Sequence, residues 1–174
     1  MKKSARQTTP RSSGKTLKKR ETEQWRRLQV REWFAARYLR DSGGNPWSVR
    51  DYQRPSLESR ALRKVHCDGR DVGKTSEIEI IAAWAMVACP DSEMLIAAQT
   101  ENHLFPLMNR LARCFETTPG FVSSLVEVRR SPSWYFRFSN GFTLWGRIAG
   151  LRGVNFQGMH VHWQIIDEAQ EMTE

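Results

Sequence analysis

The sequence predicts an α/β fold, with strands and helices alternating around a mostly parallel sheet. Three observations lead there. Short apolar runs of strand length alternate with segments of helical period. A Gly-Lys-Thr at 73–75 falls between a strand candidate and a helix candidate. A late apolar run ends in two acids, Asp167 and Glu168. The 174 residues are 40% hydrophobic and 10% aromatic, enough for one core without a disulfide or metal staple.

Three regions follow in order. Residues 1–20 are polar and basic with almost no large apolar group, and read as a disordered tail. Residues 21–46 read as a helix and a linker. Trp25, Leu28, Trp33, Phe34, Tyr38 and Leu39 approximate a helical stripe over 21–40, and Asp41-Ser42-Gly43-Gly44-Asn45-Pro46 ends it. Residues 47–174 carry the alternating pattern. Leu62–Cys67 is a short strand candidate, Ser76–Ala88 a helix, and Met94–Ala98 a strand apolar on both faces. Thr100 is placed to cap a helix from Glu101 to about Phe115, which Pro119-Gly120 ends. Leu125–Arg129, Trp134–Phe138 and Phe142–Ile148 are further strands, and Asn140-Gly141 marks a hairpin between the last two. Val161–Asp167 is the final strand.

Charge and composition exclude several classes of function. The formal net charge of +8 belongs to the N-terminal arm: residues 1–40 carry +10 and the remainder −2. The tail is thus either a solubilising segment or a contact for nucleic-acid phosphates. No uncharged apolar run is long enough for a membrane span, and no signal peptide is expected. Cys67, Cys89 and Cys114 are odd in number and form no Cys-x-x-Cys pair, which argues against structural zinc and for a reducing compartment.

Gly69-Arg70-Asp71-Val72-Gly73-Lys74-Thr75, followed by Ser76, lies where a phosphate-binding loop belongs. Glycine lets successive backbone N–H groups turn inward around an anion, and the following helix adds its positive N-terminal end. Lys74 would reach the β- and γ-phosphates and Thr75 would ligate Mg²⁺. The usual spacing puts Asp68 where a first glycine belongs, so the segment alone is also compatible with an ordinary strand–turn–helix junction.

The second element is Val161-His162-Trp163-Gln164-Ile165-Ile166-Asp167-Glu168. Ligands of open α/β sheets bind at the carboxyl ends of strands. There Asp167 suits Mg²⁺ and Glu168 suits orienting and deprotonating an attacking water. The alternative for the pair is a plain helix cap. Upstream, Gln53 offers a donor and an acceptor for the adenine edge, with Tyr52 or Trp47 available to pack on the base; a surface turn is the alternative there.

Together these motifs resemble the ATPase domain of the large terminase subunit of tailed bacteriophages, over about residues 47–174. Arg50-Asp51-Tyr52-Gln53 looks like its adenine motif, 69–75 like its Arg-containing Walker A, Met94–Thr100 like the strand after the first helix, and Leu151–Phe156 like the approach to Walker B. Ile165-Ile166-Asp167-Glu168-Ala169-Gln170 looks like Walker B with its catalytic Glu. The resemblance implies a P-loop NTPase of the RecA-like class and a site using ATP and Mg²⁺. It assigns Glu168 and Arg70 to catalysis, and Gln53, Gly69, Arg70, Asp71, Val72, Gly73, Lys74, Thr75 and Ser76 to the nucleotide. Thr75 and Asp167 fall to the metal. It further implies double-stranded DNA as a partner, a portal protein, a small terminase subunit, a homo-oligomeric ring, and a phage- or prophage-encoded protein in the bacterial cytoplasm.

The chain ends six residues after Glu168. The family continues through further strands and an RNase H-type nuclease. The expectation is therefore a fragment with an incomplete sheet and no nuclease, whose hydrolytic activity is open. Two other readings stand beside it: a helicase-type P-loop ATPase core, and a non-catalytic basic DNA-binding remnant.

Overall fold

The computed structural model describes residues 30–41, 44–67, 69, 72–150 and 158–169. The basic tail, residues 21–29 of the predicted first helix, Arg70, Asp71, the Leu151–Phe156 motif and Gln170 lie outside the described residues.

Helix α1 (Arg31–Tyr38) buries Phe34 and Ala35 and ends before the turn formers noted above. Asp41 N donates to Asn45 O (3.0 Å) while Asn45 N donates to Asp41 Oδ1 (2.9 Å), closing that turn. A 3₁₀ turn (Asp51–Gln53) runs into α2 (Arg54–Glu58), where Pro55 sits in the first turn and needs no N–H partner. Helix α3 (Lys74–Ala88) starts two residues earlier than predicted, directly at the Gly-Lys-Thr, and is apolar around most of its circumference. It is buried between neighbours rather than laid on a surface. Strand β1 (Glu93–Ala98) follows, then α4 (Glu101–Thr117), α5 (Pro119–Val122), β2 (Leu125–Arg129), β3 (Trp134–Phe138), β4 (Thr143–Ile148) and β5 (Trp163–Asp167).

The five strands form one sheet in the order β2-β3-β4-β1-β5. Its core is parallel: β1 pairs with both β4 and β5, so Ala98 stands beside Ile148 and Asp167. The hairpin side is antiparallel, β3 pairing with β2 and β4. Residues 94–98 are all buried, as their unbroken apolar run predicts. The Asn140-Gly141 turn forms as expected: Gly141 takes φ +82°, a conformation glycine adopts at no steric cost, and Gly141 N donates to Phe138 O (3.1 Å). Asn140 Nδ2 also donates to Met86 O (2.7 Å), tying the hairpin to the end of α3.

Helix α4 turns Leu104, Leu107, Met108, Leu111, Ala112 and Phe115 toward the sheet. The Phe115 ring meets Phe136 and Phe138 edge-on at 5.4 and 5.0 Å between centroids. On α3, Trp84 meets Trp163 of β5 edge-on, and Arg31 of α1 lies 4.4 Å over the Trp84 ring.

Helices α3 and α4 are joined by an ion pair. Arg110 donates to both oxygens of the buried Glu79 (2.9 and 2.8 Å) and to Ser76 Oγ (3.3 Å). Burial pushes the Glu79 carboxyl above its ordinary range, and the Arg110 guanidinium opposes that shift. Removing Arg110 would strand a buried carboxylate. Arg110→Ala is expected to cost about 2 kcal/mol, below the ~3–5 of a fully buried pair because the guanidinium is half exposed. Adding Glu79→Gln should restore part of the loss; urea unfolding midpoints of the three proteins measure both.

One predicted element is absent. Residues 62–67 run as irregular chain, with Leu62 and Val65 almost fully exposed. A lone extended segment leaves its backbone groups unpaired, and among the described residues no strand pairs with this one. The segment is fastened by side chains instead. Lys64 Nζ donates to Ser56 O (2.7 Å), His66 Nε2 stands 3.2 Å from Ser56 Oγ, and Ser56 Oγ also bonds the Glu77 carboxylate in the first turns of α3.

Candidate nucleotide site

The site begins where irregular chain becomes helix. Gly73 precedes α3 with φ +85° and ψ +27°, in the left-handed region. Lys74, Thr75 and Ser76 are the first three helical residues, all half-buried, and their N–H groups belong to the unsatisfied first turn. Gly69 is exposed and Val72 half-buried. Arg70 and Asp71 lie outside the described residues. A Cβ built on Gly73 would stand 3.0 Å from Gln53 Nε2, so both the backbone angle and the neighbour resist a side chain. Gly73→Ala is expected to destabilise the fold by ~1–2 kcal/mol, measurable as a lowered denaturation midpoint.

The upstream motif packs against this glycine. Gln53 is buried, 4% exposed, and both ends of its amide are engaged: Oε1 accepts from Arg50 N (3.1 Å) and Nε2 donates to Gly73 O (3.1 Å). Tyr52 OH donates to Val72 O (2.6 Å) and accepts from an Arg50 guanidinium nitrogen (2.6 Å). Gln53, the candidate for the adenine edge, and Tyr52, with Trp47 a candidate to pack on the base, place their polar groups against the loop backbone. Trp47 packs at the edge of the hydrophobic core.

The acids arrive from the sheet. Because β5 runs parallel to β1, its carboxyl end and that of β1 open on the same side. Asp167 closes β5. Glu168 follows with φ +52°, a left-handed conformation uncommon for a non-glycine residue and held there by its surroundings. That turn brings Glu168 Oε1 to 3.9 Å from Lys74 Nζ. Lysine of the loop and the acid just past the strand, 94 positions apart in the chain, thus face each other at the carboxyl end of β5.

Burial pushes the Asp167 carboxyl above its ordinary range, and the Glu168 charge pushes the same way. The Glu168 backbone N–H, which donates to Asp167 Oδ1 (3.2 Å), opposes the shift, as do Lys74 and His103 at lesser strength. A cation beside Asp167 would relieve that excess of negative charge. No group of three or more His, Cys, Asp or Glu side chains among the described residues can hold a metal ion by itself. Mg²⁺ carried with a nucleotide needs no such cage, because one or two protein oxygens and the phosphates suffice. Asp167 and the Thr75 hydroxyl have the donor chemistry for it.

Glu77, Glu79 and Arg110 had no role in the sequence analysis. The detectable signal was their position: Glu77 and Glu79 fall among residues otherwise buried.

Comparison with solved structures places this architecture. The HK97 bacteriophage large terminase superposes with a TM-score of 0.70 at 16% identity, over 82% of this chain and 31% of that one. The fold is that of a large-terminase ATPase domain. The Thermus phage P74-26 large terminase ATPase domain gives a TM-score of 0.59 at 23% identity, over 73% of this chain and 56% of that one. A point variant of that domain gives 0.61 over the same shares. The chain therefore spans about a third of the length of the first terminase and just over half of the second domain. No protein-family model and no curated protein sequence matches the chain. Among the described residues no helix is long and apolar enough to cross a membrane.

Proposed function

We propose that this chain is the ATP-binding part of a viral DNA-packaging motor, corresponding to the ATPase portion of a large terminase subunit. The observation that carries the reading is the approach of Lys74 to Glu168 at the carboxyl end of β5, beside Asp167. The terminase ATPase fold supports it.

Lys74 and the first-turn N–H groups of α3 bind the β- and γ-phosphates, and Thr75 and Asp167 would hold a magnesium ion. Mg²⁺ bound there would supply charge neutralisation on the phosphate oxygens. Glu168 orients a water toward the γ-phosphorus and takes its proton, and Arg70 offsets charge developing on the phosphoryl group. In the free protein Lys74 faces Glu168, so an arriving γ-phosphate competes with that carboxylate for the same ammonium. Gly69, Asp71, Val72, Gly73 and Ser76 complete the loop. Duplex DNA, a portal protein, a small terminase subunit and a ring of identical copies are the partners this reading carries, in the cytoplasm of a bacterial host. The basic arm of residues 1–20 suits contact with DNA phosphates.

Asp167 gives the test. Burial and the neighbouring Glu168 raise its pKa, so the folded chain holds this proton more tightly than an ordinary aspartate does. The associated stability is present at low pH and is lost as pH rises through the shifted value. A bound cation favours the carboxylate instead, so Mg²⁺-dependent tightening of ATP binding should vanish as pH falls into the acid range, beginning above the range of an ordinary aspartate. Calorimetric titration with ATP, with and without Mg²⁺ across pH, should show this in the wild type. In Asp167→Asn the Mg²⁺ effect should be absent at every pH. An unchanged Mg²⁺ effect in that variant would remove Asp167 from the site.

A further inference from the structure

One side chain of α4 reaches back to the first turn of α3. Arg110 forks onto Glu79, its Nε donating to one carboxylate oxygen (2.9 Å) and a terminal nitrogen to the other (2.8 Å). Glu79 is buried, 5% exposed, so the fork is anchored in the packed interior. The same terminal nitrogen also donates to Ser76 Oγ (3.3 Å). Ser76 is the third residue of α3 and stands next to Thr75.

The chemistry of the two groups decides what the remaining hydrogen can do. A guanidinium carries donors only, so Arg110 can occupy no more than a lone pair of the Ser76 oxygen. The Ser76 hydrogen is left to donate, and among the described residues no acceptor takes it. The usual acceptors for a serine in a helix are the carbonyls three and four residues back, here Gly73 O and Val72 O. Gly73 O already accepts from Gln53 Nε2 and Glu77 N, and Val72 O from Tyr52 OH. Resting on the nucleotide reading above, which puts phosphate at this end of α3, we propose that Arg110 is a positioning residue for the phosphates: it holds the Ser76 oxygen so that the hydroxyl donates to a phosphate oxygen of the bound nucleotide. The guanidinium also draws electron density from the hydroxyl, which strengthens it as a donor to an anion. Arg110 acts through Ser76 and touches no phosphate itself.

The test is a double-mutant cycle, read by displacement of a fluorescent ATP analogue by ATP in the presence of Mg²⁺. Glu79→Gln/Arg110→Met removes both members of the ion pair, so no buried carboxylate is stranded. Ser76→Ala removes the hydroxyl. Each should weaken ATP by roughly 2–10-fold, the value of one hydrogen bond. Ser76→Ala added to Glu79→Gln/Arg110→Met should cost less than about twofold more, because both changes remove the same contact. A purely structural ion pair would lower the urea midpoint and leave the ATP affinity of the folded protein unchanged; that result overturns the proposal. So do losses that multiply in the combined protein. Arg110→Lys is the second variant, and it keeps a cation beside Glu79. One ammonium cannot span the carboxylate fork and the hydroxyl, so ATP binding should weaken there too while the fold stands, and wild-type affinity in it overturns the proposal. Binding that depends on Lys74 but not on Arg110 overturns this proposal alone. A wild type that binds no ATP overturns both this proposal and the nucleotide reading.

Discussion

Lys74→Ala is expected to weaken ATP binding by roughly 100-fold or more, the equivalent of ~3 kcal/mol for a charge-assisted contact to phosphate. The fold should survive. Lys74 is half-buried and its ion pair is a 3.9 Å approach to a half-buried Glu168, a contact worth at most ~1 kcal/mol. Binding and stability therefore separate in this variant, which makes it informative. Fluorescence titration gives the affinity and urea unfolding the stability. A Lys74→Ala protein that binds ATP as tightly as the wild type contradicts the assignment of the loop.

Glu168→Gln should act in the opposite order. It removes the anion facing Lys74 without changing the size of the side chain, so the ammonium is released to the γ-phosphate and ATP affinity should rise by a few-fold. It also removes the base that takes the proton from water, a role worth roughly 10²–10⁴ in rate. Where the chain hydrolyses ATP, phosphate release should fall by that factor while binding improves. Isothermal titration and a phosphate-release assay on the same preparation measure the two effects. Tighter binding with unchanged hydrolysis would show that Glu168 pairs with Lys74 without serving the chemistry.

The elements that place the site were legible because their signals are local. Residues 94–98 are apolar without interruption and form an interior strand of the sheet; Asn140-Gly141 makes its hairpin; the periodic apolar positions of 101–117 are buried. The acidic end of β5 was legible for the same reason. The strand at 62–67 was not: its pattern is that of a strand, but strands exist only in pairs, and nothing in its own residues says whether a neighbour is present. The contacts of Tyr52 and Gln53 with the loop were hidden for a different reason. A glutamine 20 positions before a loop can address a ligand or the loop itself, and its residue type alone does not reveal that its amide bonds Gly73 O. Glu79 and Arg110, 31 positions apart, were invisible as a pair because their contact exists only once α3 and α4 pack.

The central claim is that one crevice between the start of α3 and the end of β5 grips magnesium and a triphosphate together. A crystal structure with Mg²⁺ and a non-hydrolysable ATP analogue tests it most directly. The expected result is the γ-phosphate within hydrogen-bond reach of Lys74 Nζ, metal density contacted by the Thr75 hydroxyl or Asp167, and Glu168 displaced from the lysine. An analogue bound elsewhere, with Lys74 still facing Glu168, would contradict it.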